Sequence, residues 1–250
     1  MPNGILAEVC CGSADDVERA AAAGADRAEL NCALCAGGLT PTPGMLAAAL
    51  SRAQLPVICM LRPRAGGFCY SDAEFDTMVR DARALRDAGA AGFAFGCLTA
   101  DGRIDEPRCA RLVRAAGGAQ TVFHRAFDVL RGAPEDDIET LVRLGFSRVL
   151  TSGRQPAAPD GADCIRRCVA CARGRIEILA GGGVRPHNAA ALARDTGVRQ
   201  LHFTCHTARS DPSAAGAAVS FAAPGAGAPD AVAVVDGDAL RSFVALLHAL

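Results

Sequence analysis

Residues 121–128, TVFHRAFD, join a short apolar run typical of a β-strand to polar side chains that follow it directly. Other strand-like runs carry similar endings, which are Arg62-Pro63-Arg64 with Gly66 and Gly67, Leu150-Thr151-Ser152-Gly153, and Gly181-Gly182-Gly183. Enzymes built on a barrel of parallel strands keep their sites at the carboxyl ends of those strands. The four segments therefore predict one pocket that is assembled from many loops.

Strand-like runs alternate with amphipathic segments that are rich in alanine and arginine. The eight runs begin near Ile5, Asp26, Pro56, Gly92, Gln120, Arg148, Arg175 and Gln200. Alternating strands and helices predict a parallel sheet, and eight such units predict closure. We therefore predict an α/β fold, a single-domain (β/α)8 TIM barrel over residues 1–250. A doubly wound open sheet is the alternative, but it gathers its ligand site at one switch point, whereas these motifs recur after many strands.

Local signals support the helices of this barrel. Ser71 and Glu74 have the spacing of a capping box, and Pro107 and Pro186 suit the first turn of a helix. The stretch over 208–229 is rich in Ala, Gly, Ser and Pro and is interpreted as a long loop. We also predict a short strand over 217–221 that pairs with 231–235, and a last helix over 238–250.

Composition excludes several classes of function. The net charge of −1 gives no field that would attract nucleic acid or an anionic membrane. All 26 basic residues are arginine, which excludes Schiff-base chemistry on a lysine. The twelve cysteines and an N-terminus without a basic and apolar leader favour free thiols in the cytosol.

Carboxylates and a histidine are the candidate proton-transfer groups. Strand alternation places Glu8 and Cys10 on one face of the first strand, and Glu29 and Asn31 on one face of the second. Glu8 and Glu29 would act as acid and base, or else form a buried ion-pair layer with an arginine of the Arg62-Pro63-Arg64 motif.

His124 ends its strand and suits proton transfer near neutral pH, and Asp128 is predicted to hold its tautomer. Arg125 is expected on the opposite face from His124. The alternative is that His124 is a structural hydrogen-bonding group.

Arginine and glycine motifs predict an anion site. Arg62 and Arg64 share a face around Pro63, and two guanidinium groups suit a carboxylate or a phosphate. The glycines precede a helix that begins near Pro186, so their N–H groups and that helix end would face an anion, or they serve only a tight turn. The predicted ligand-binding set is Arg62, Arg64, Arg125, Ser152, Gly153, Gly181, Gly182, Gly183 and His202.

Cysteines give the candidate metal site. Cys32 and Cys35 follow the second strand and Cys10 follows the first, so their thiolates are soft ligands available to Cu(I). Cys164, Cys168 and Cys171 instead have helical spacing and are expected to form a stripe packed on the barrel.

At its motifs the chain resembles the copper homeostasis protein CutC family. The resemblance covers nearly the whole chain through Glu8-Val9-Cys10, Gly24-Ala25-Asp26-Arg27, Gly37-Gly38-Leu39-Thr40-Pro41, Arg62-Pro63-Arg64, Tyr70-Ser71-Asp72, Asp101-Gly102, Phe123-His124-Arg125-Ala126-Phe127-Asp128, Leu150-Thr151-Ser152-Gly153 and Gly181-Gly182-Gly183. It implies a TIM barrel in the cytosol, linked to copper tolerance or trafficking, that binds copper and forms a homodimer. It implies no assigned catalytic activity.

The chain departs from the family pattern at several positions. Asn31 stands where the family has a cysteine after Glu-Leu, and Cys32 comes one place later. Ala36 and Gly67 stand where the family pattern has acidic residues. Around the eighth strand, His202-Phe203-Thr204 fits the family's His-x-Ser pattern poorly. Three functions stay open: copper binding, an enzyme acting on a small anionic or phosphorylated metabolite, and a non-catalytic scaffold.

Overall fold

Eight parallel strands close into a barrel in the computed structural model, which describes residues 4–214, 216, 218–219 and 231–250. Each strand pairs with the next, and the last pairs with the first, so that Glu8 of the first strand lies opposite His202 of the eighth. The strands are β1 (Leu6–Cys11), β2 (Arg27–Leu30), β3 (Val57–Met60), β4 (Gly92–Phe95), β5 (Gln120–Phe123), β6 (Arg148–Thr151), β7 (Glu177–Gly181) and β8 (Gln200–Phe203). The predicted TIM barrel is confirmed.

Helices surround the barrel. Those in the described ranges are α1 (Ala14–Ala22), α2 (Pro43–Arg52), α3 (Asp72–Asp87), α4 (Glu106–Ala116), α5 (Pro134–Arg143), α6 (Ala162–Ala172), α7 (Pro186–Thr196) and α8 (Gly237–His248). The capping box of Ser71 and Glu74 opens α3, and prolines occupy the first turns of α4 and α7, as predicted. No helix in the described ranges combines the length and apolar character needed to cross a bilayer.

A two-stranded antiparallel ribbon follows the barrel. It consists of β9 (His206–Ser210) and β10 (Ala231–Val235). The prediction that 231–235 forms a strand is correct, but its partner is β9 and not 217–221, which lies largely outside the described residues. The first residues of the loop predicted over 208–229 also belong to β9, because they pair with β10 residue by residue.

The barrel interior has an apolar part and a charged part. The apolar part is a cluster of Ile58, Met60, Ala94, Val122, Leu150 and Leu179, all at most 6% exposed. The charged part lies along β1, β2 and β8, where Glu8, Arg27 and His202 are buried. Burial of charge is costly unless the groups are paired. The paired charges of these three strands therefore position the candidate site.

Candidate metal and ligand site

A cavity of about 460 Å³ opens at the carboxyl ends of the strands. Its walls carry two groups of polar side chains from different parts of the barrel. The first group, from β1, β2 and β8, is Cys10, Glu29 and His202, which we call the donor cluster. The second, from the ends of β3 and β5, is Arg62, His124 and Arg125, which we call the cationic wall.

The donor cluster brings three different ligand types together. One ligand atom from each of Cys10, Glu29 and His202 lies within 4.8 Å of the other two. Register explains the proximity, because Cys10 pairs with Glu29 across β1 and β2, and β8 closes the barrel against β1. Thiolate, imidazole and carboxylate can all ligate a metal ion.

Glu8 lies behind the donor cluster and holds His202. The His202 Nδ1 donates to Glu8 Oε1 at 2.8 Å, and the Arg27 guanidinium donates to Glu8 Oε2. Glu8 is therefore in an ion-pair layer, as one of our alternatives stated, but its partner is Arg27 and not Arg62 or Arg64. Arg27 also donates to Gln200 at 2.8 Å, which fixes the layer to β8.

Charges within this layer shift the pKa values in opposite directions. Burial alone raises the pKa of Glu8, but the His202 hydrogen bond and the Arg27 charge outweigh it and lower that pKa to about 2. Burial lowers the pKa of His202, yet Glu29, Cys10 and Glu8 together raise it well above its ordinary value. His202 is thus an imidazolium between two carboxylates.

Cys10 and Glu29 hold their protons more strongly than usual. Burial raises the pKa of the Cys10 thiol, and the hydrogen bond from His202 offsets only part of this increase. Burial and the Glu8 charge raise the pKa of Glu29. A cation that binds here must therefore displace protons.

Asn31 connects the members of the cluster. Its Nδ2 donates to Glu29 Oε2 at 2.9 Å and lies 3.6 Å from Cys10 Sγ. The amide thus occupies the place beside Cys10 in which the resemblance implied a second thiol.

The predicted trio of Cys10, Cys32 and Cys35 is not the group that the fold brings together. Cys32 Sγ donates to the Thr40 carbonyl at 3.0 Å, and Cys35 is exposed on the loop after β2. Neither cysteine lines the cavity; in the segment after β2, the residues that do are Asn31, Leu34, Gly37 and Gly38. Cys168 lies on α6 and is buried in the core. Cys164 and Cys171 of the same helix are partly buried and pack against that core, in agreement with the predicted stripe.

His124 and Arg125 both line the cavity, although we predicted opposite faces. The reason is that β5 ends at Phe123 and the chain continues in a 3₁₀ turn from Arg125. Asp128 does not hold the histidine. The His124 Nδ1 instead accepts from the Ala126 N–H at 3.2 Å.

Asp128 organises the loop after β6 and does not line the cavity. It accepts hydrogen bonds from the Thr151 hydroxyl at 2.5 Å and from the Ser152 N–H at 3.1 Å, and it pairs with Arg125 at 2.7 Å. Ser152 is fully buried, and Gly153 packs against Gly161, so neither reaches the cavity. Asp128, predicted to orient His124, and Ser152 and Gly153, predicted to bind a ligand, make structural contacts here and do not line the cavity.

Arg64 and the three glycines also lie outside the cavity lining. Arg64 pairs with Glu74 at 2.5 Å, at the start of α3. A side chain at Gly181 would meet Leu150 and His202, and one at Gly183 would meet Ala157, so these positions permit close packing. Gly181 lies beside His202, and Gly182 lies beside Ser152 and the Arg125 guanidinium, so both approach predicted ligand residues without lining the cavity.

Sequence reasoning missed the combination of Cys10, Glu29 and His202. Each residue was a candidate, but for separate roles. The available signal was closure, because an eight-stranded barrel must pair its last strand with its first, which brings strand-eight residues beside Glu8 and Cys10. The register that aligns His202 with Glu8 comes only from the fold.

Comparison with known proteins supplies the family. The family model described as the CutC family matches residues 5–207. A CutC family protein of Treponema denticola is 47% identical over 209 residues, which cover 84% of this chain and 85% of that protein. The human copper homeostasis protein cutC homolog is 41% identical over 207 residues, which cover 83% of this chain and 76% of that protein.

Solved structures agree with these sequence matches. A CutC structure from Streptococcus agalactiae superposes with a TM-score of 0.75 at 35% identity, covering 79% of this chain and 97% of that one. An N-(5'-phosphoribosyl)anthranilate isomerase from Pyrococcus furiosus has a TM-score of 0.57 at 12% identity, covering 98% of this chain and 100% of that one, and shows the shared barrel alone. The chain belongs to the CutC family, of which the human and Streptococcus agalactiae relatives are named for copper homeostasis.

Proposed function

We propose that the protein binds Cu(I) as cargo in cytosolic copper homeostasis, and that the donor cluster of Cys10, Glu29 and His202 is the binding site. The observation that carries the proposal is the proximity of the three ligand atoms, which lie within 4.8 Å of one another at the floor of an open cavity. All twelve cysteines are free thiols, which supports a reducing compartment.

The donor types fit copper. Thiolate is a soft ligand that suits Cu(I), and imidazole suits copper in general. The thioether of Met60, another soft group, lines the same cavity. The Glu29 carboxylate is a harder ligand, so its main contribution is negative charge near the ion.

Glu8 gives His202 the orientation of a metal ligand. Histidines that bind metals usually donate the second ring N–H to a carboxylate or carbonyl, which fixes the ring and its tautomer. The Nδ1 of His202 donates to Glu8, so its Nε2 is the nitrogen left to bind the ion; this Nε2 lies 3.9 Å from Glu29.

A cation can take the place of the proton on the His202 ring. The imidazolium proton on His202 lies between the carboxylates of Glu8 and Glu29. Replacing that proton by Cu(I) keeps one positive charge at the ring, while the proton that Cys10 also loses makes its thiolate a ligand of the ion. Asn31 stands where the family pattern has a cysteine. The His202 imidazole therefore serves as the second ligand in place of a second thiolate.

Anaerobic titration of Cu(I) against a competing chelator tests the proposal. We expect Cys10→Ser to weaken binding by more than the roughly 10- to 100-fold that is typical of losing a group that only orients a metal ligand. Cys32→Ser is the matched control and should bind like the parent, because Cys32 contacts the Thr40 carbonyl outside the cavity.

His202→Gln extends the test to the second donor and should also weaken binding. Equal affinity of the parent and Cys10→Ser would refute the site. Weaker Cu(I) binding by Cys32→Ser, together with unchanged binding by Cys10→Ser, would mean that the ion binds at the loop after β2.

A further inference from the structure

Arg62 is a buried guanidinium without an acidic partner. It is 8% exposed, and its Nη1 and Nη2 donate to the carbonyls of Ala36, Gly38 and Gly66 at 2.8–3.1 Å. Its Nε has no hydrogen-bond acceptor, and it forms no ion pair, in the described ranges of the chain. The buried Arg27, by comparison, is paired with Glu8. An unpaired buried charge is costly, so the Arg62 environment favours an anion.

His124 supplies a second donor on the same wall. Its Nδ1 accepts from the Ala126 N–H, so the ring proton belongs on Nε2. This Nε2 is buried and has no partner among the residues described. Burial and the Arg62 charge lower the pKa of His124 to about 3, so the ring is neutral and donates from Nε2 at physiological pH.

Phe68 links the two donors. Its ring centroid lies 4.8 Å from that of His124, and the guanidinium carbon of Arg62 lies 5.5 Å from the same ring. Arg125 stands nearer the solvent, held by Asp128 and by Ser152 at 2.7 Å each, and its side chain is 45% exposed. The wall therefore has a cation at its mouth and two unsatisfied donors deeper in.

We propose that the cationic wall of Arg62, His124 and Arg125 binds the carboxylate of a small organic acid in the cavity. This site is additional to the proposed copper site, and it uses the opposite group of lining residues. A cavity of about 460 Å³ falls within the range of small-molecule sites. The ligand enters past Arg125, and because Arg62 Nε and His124 Nε2 are both buried, the side chains over them move aside before the carboxylate accepts from these two atoms.

A carboxylate fits the wall better than a phosphate does. Two single N–H donors match the two oxygens of a carboxylate, whereas phosphate sites usually add several backbone N–H groups at a helix N-terminus. The glycines that were candidates for such a phosphate site, Gly181–Gly183, do not line the cavity. At the start of α7, the backbone N–H of Arg185 already has an acceptor, because it donates to the Asn188 side chain at 2.9 Å.

Malonate is a suitable probe, with inorganic phosphate as the competing anion. Calorimetric titration of the full chain should show malonate binding, and the Nε2 signal of His124 in histidine-labelled protein should shift on addition. His124→Asn retains an acceptor for the Ala126 N–H but lacks Nε2–H, and should weaken malonate about 10- to 100-fold, the value of a hydrogen bond to a charged group. Arg62→Met should weaken it further.

Arg64→Met is the matched control, because this arginine of the same motif pairs with Glu74 outside the cavity. It should bind malonate like the parent. Cu(I) affinity should be unchanged in His124→Asn, which separates this site from the copper site. The proposal is overturned if the parent does not bind malonate, if phosphate binds and malonate does not, or if His124→Asn binds as tightly as the parent. His124→Asn decides the matter even if Arg62→Met does not fold.

Discussion

Glu8→Ala is expected to lower the free energy of unfolding by about 3–5 kcal/mol, which is typical of removing one member of a buried ion pair. The carboxylate is 1% exposed, and it holds both the Arg27 guanidinium and the His202 ring. Its removal takes away the carboxylate that binds both cations directly, although Glu29 remains near His202 and Glu177 remains near Arg27. Urea unfolding followed by far-UV circular dichroism measures the change.

Glu139→Ala is the control for this experiment. Glu139 lies on α5 and pairs with Arg175 at 2.5 Å, but both side chains are more than 40% exposed. Surface ion pairs contribute little to stability, so the unfolding midpoint should stay close to that of the parent. Similar midpoints for Glu8→Ala and Glu139→Ala would mean that the charged layer does not stabilise the barrel.

Lowering the pH should reproduce part of the loss of stability that is expected for Glu8→Ala. The pKa of Glu8 is lowered from 4.5 to about 2, so its stabilising contribution is complete above 4.5 and is lost as the pH falls toward 2. The contribution of His202 to stability depends on pH with the opposite sign. Its raised pKa gives a contribution that is complete below the ordinary histidine value and is lost as the pH rises through the folded-state pKa.

The affinity for Cu(I) is expected to rise steeply with pH. Both the Cys10 thiol and the His202 ring have raised pKa values, so both are protonated at neutral pH and must lose a proton to bind the ion. Each displaced proton contributes about a tenfold gain per pH unit, so two protons give up to about 100-fold per unit between pH 6 and 8. Chelator competition at several pH values, with the chelator's own titration subtracted, measures the slope.

Glu8→Gln provides the contrast for the pH series. Without the Glu8 charge the pKa of His202 falls, although Glu29 and Cys10 still raise it, so the slope should be shallower than that of the parent. An affinity for the parent that does not vary between pH 6 and 8 would be inconsistent with Cys10 and His202 as ligands.

The barrel was predictable because its signals are local and repeated. Each strand is a short apolar run, and capping residues such as Ser71 and Glu74 act within a few positions of one another. Seven of the eight predicted strand starts coincide with the observed ones or lie within one residue of them. The ribbon of β9 and β10 was predicted only in part, because pairing His206 with Val235 depends on a contact between distant parts of the chain.

The site was harder to predict because its contacts cross the barrel closure. Glu8 was assigned to Arg62 or Arg64 by charge type alone, whereas register brings it to Arg27 and His202. Cys32 was chosen for its spacing to Cys35, but the strand had already ended before it. Spacing along the chain identifies ligand pairs only where one element carries both residues.

If copper binds at the donor cluster, its ligands differ from those that the family resemblance implied. With Asn31 beside Cys10, the donor cluster contains a single thiol, and the amide instead holds Glu29. If imidazole takes over the second ligand position, copper affinity depends on β8 as well as on β1 and β2. The identity of the residue at 202 then matters as much as that of the cysteines.

X-ray absorption at the copper edge of the one-to-one Cu(I) complex tests the central claim most directly, because it distinguishes sulfur from nitrogen and oxygen ligands. Binding by Cys10 and His202 predicts a mixed shell with one thiolate sulfur and at least one lighter ligand, and a weaker nitrogen contribution in His202→Gln. A shell of two or three thiolate sulfurs that persists in Cys10→Ser would contradict the account and place copper on other cysteines.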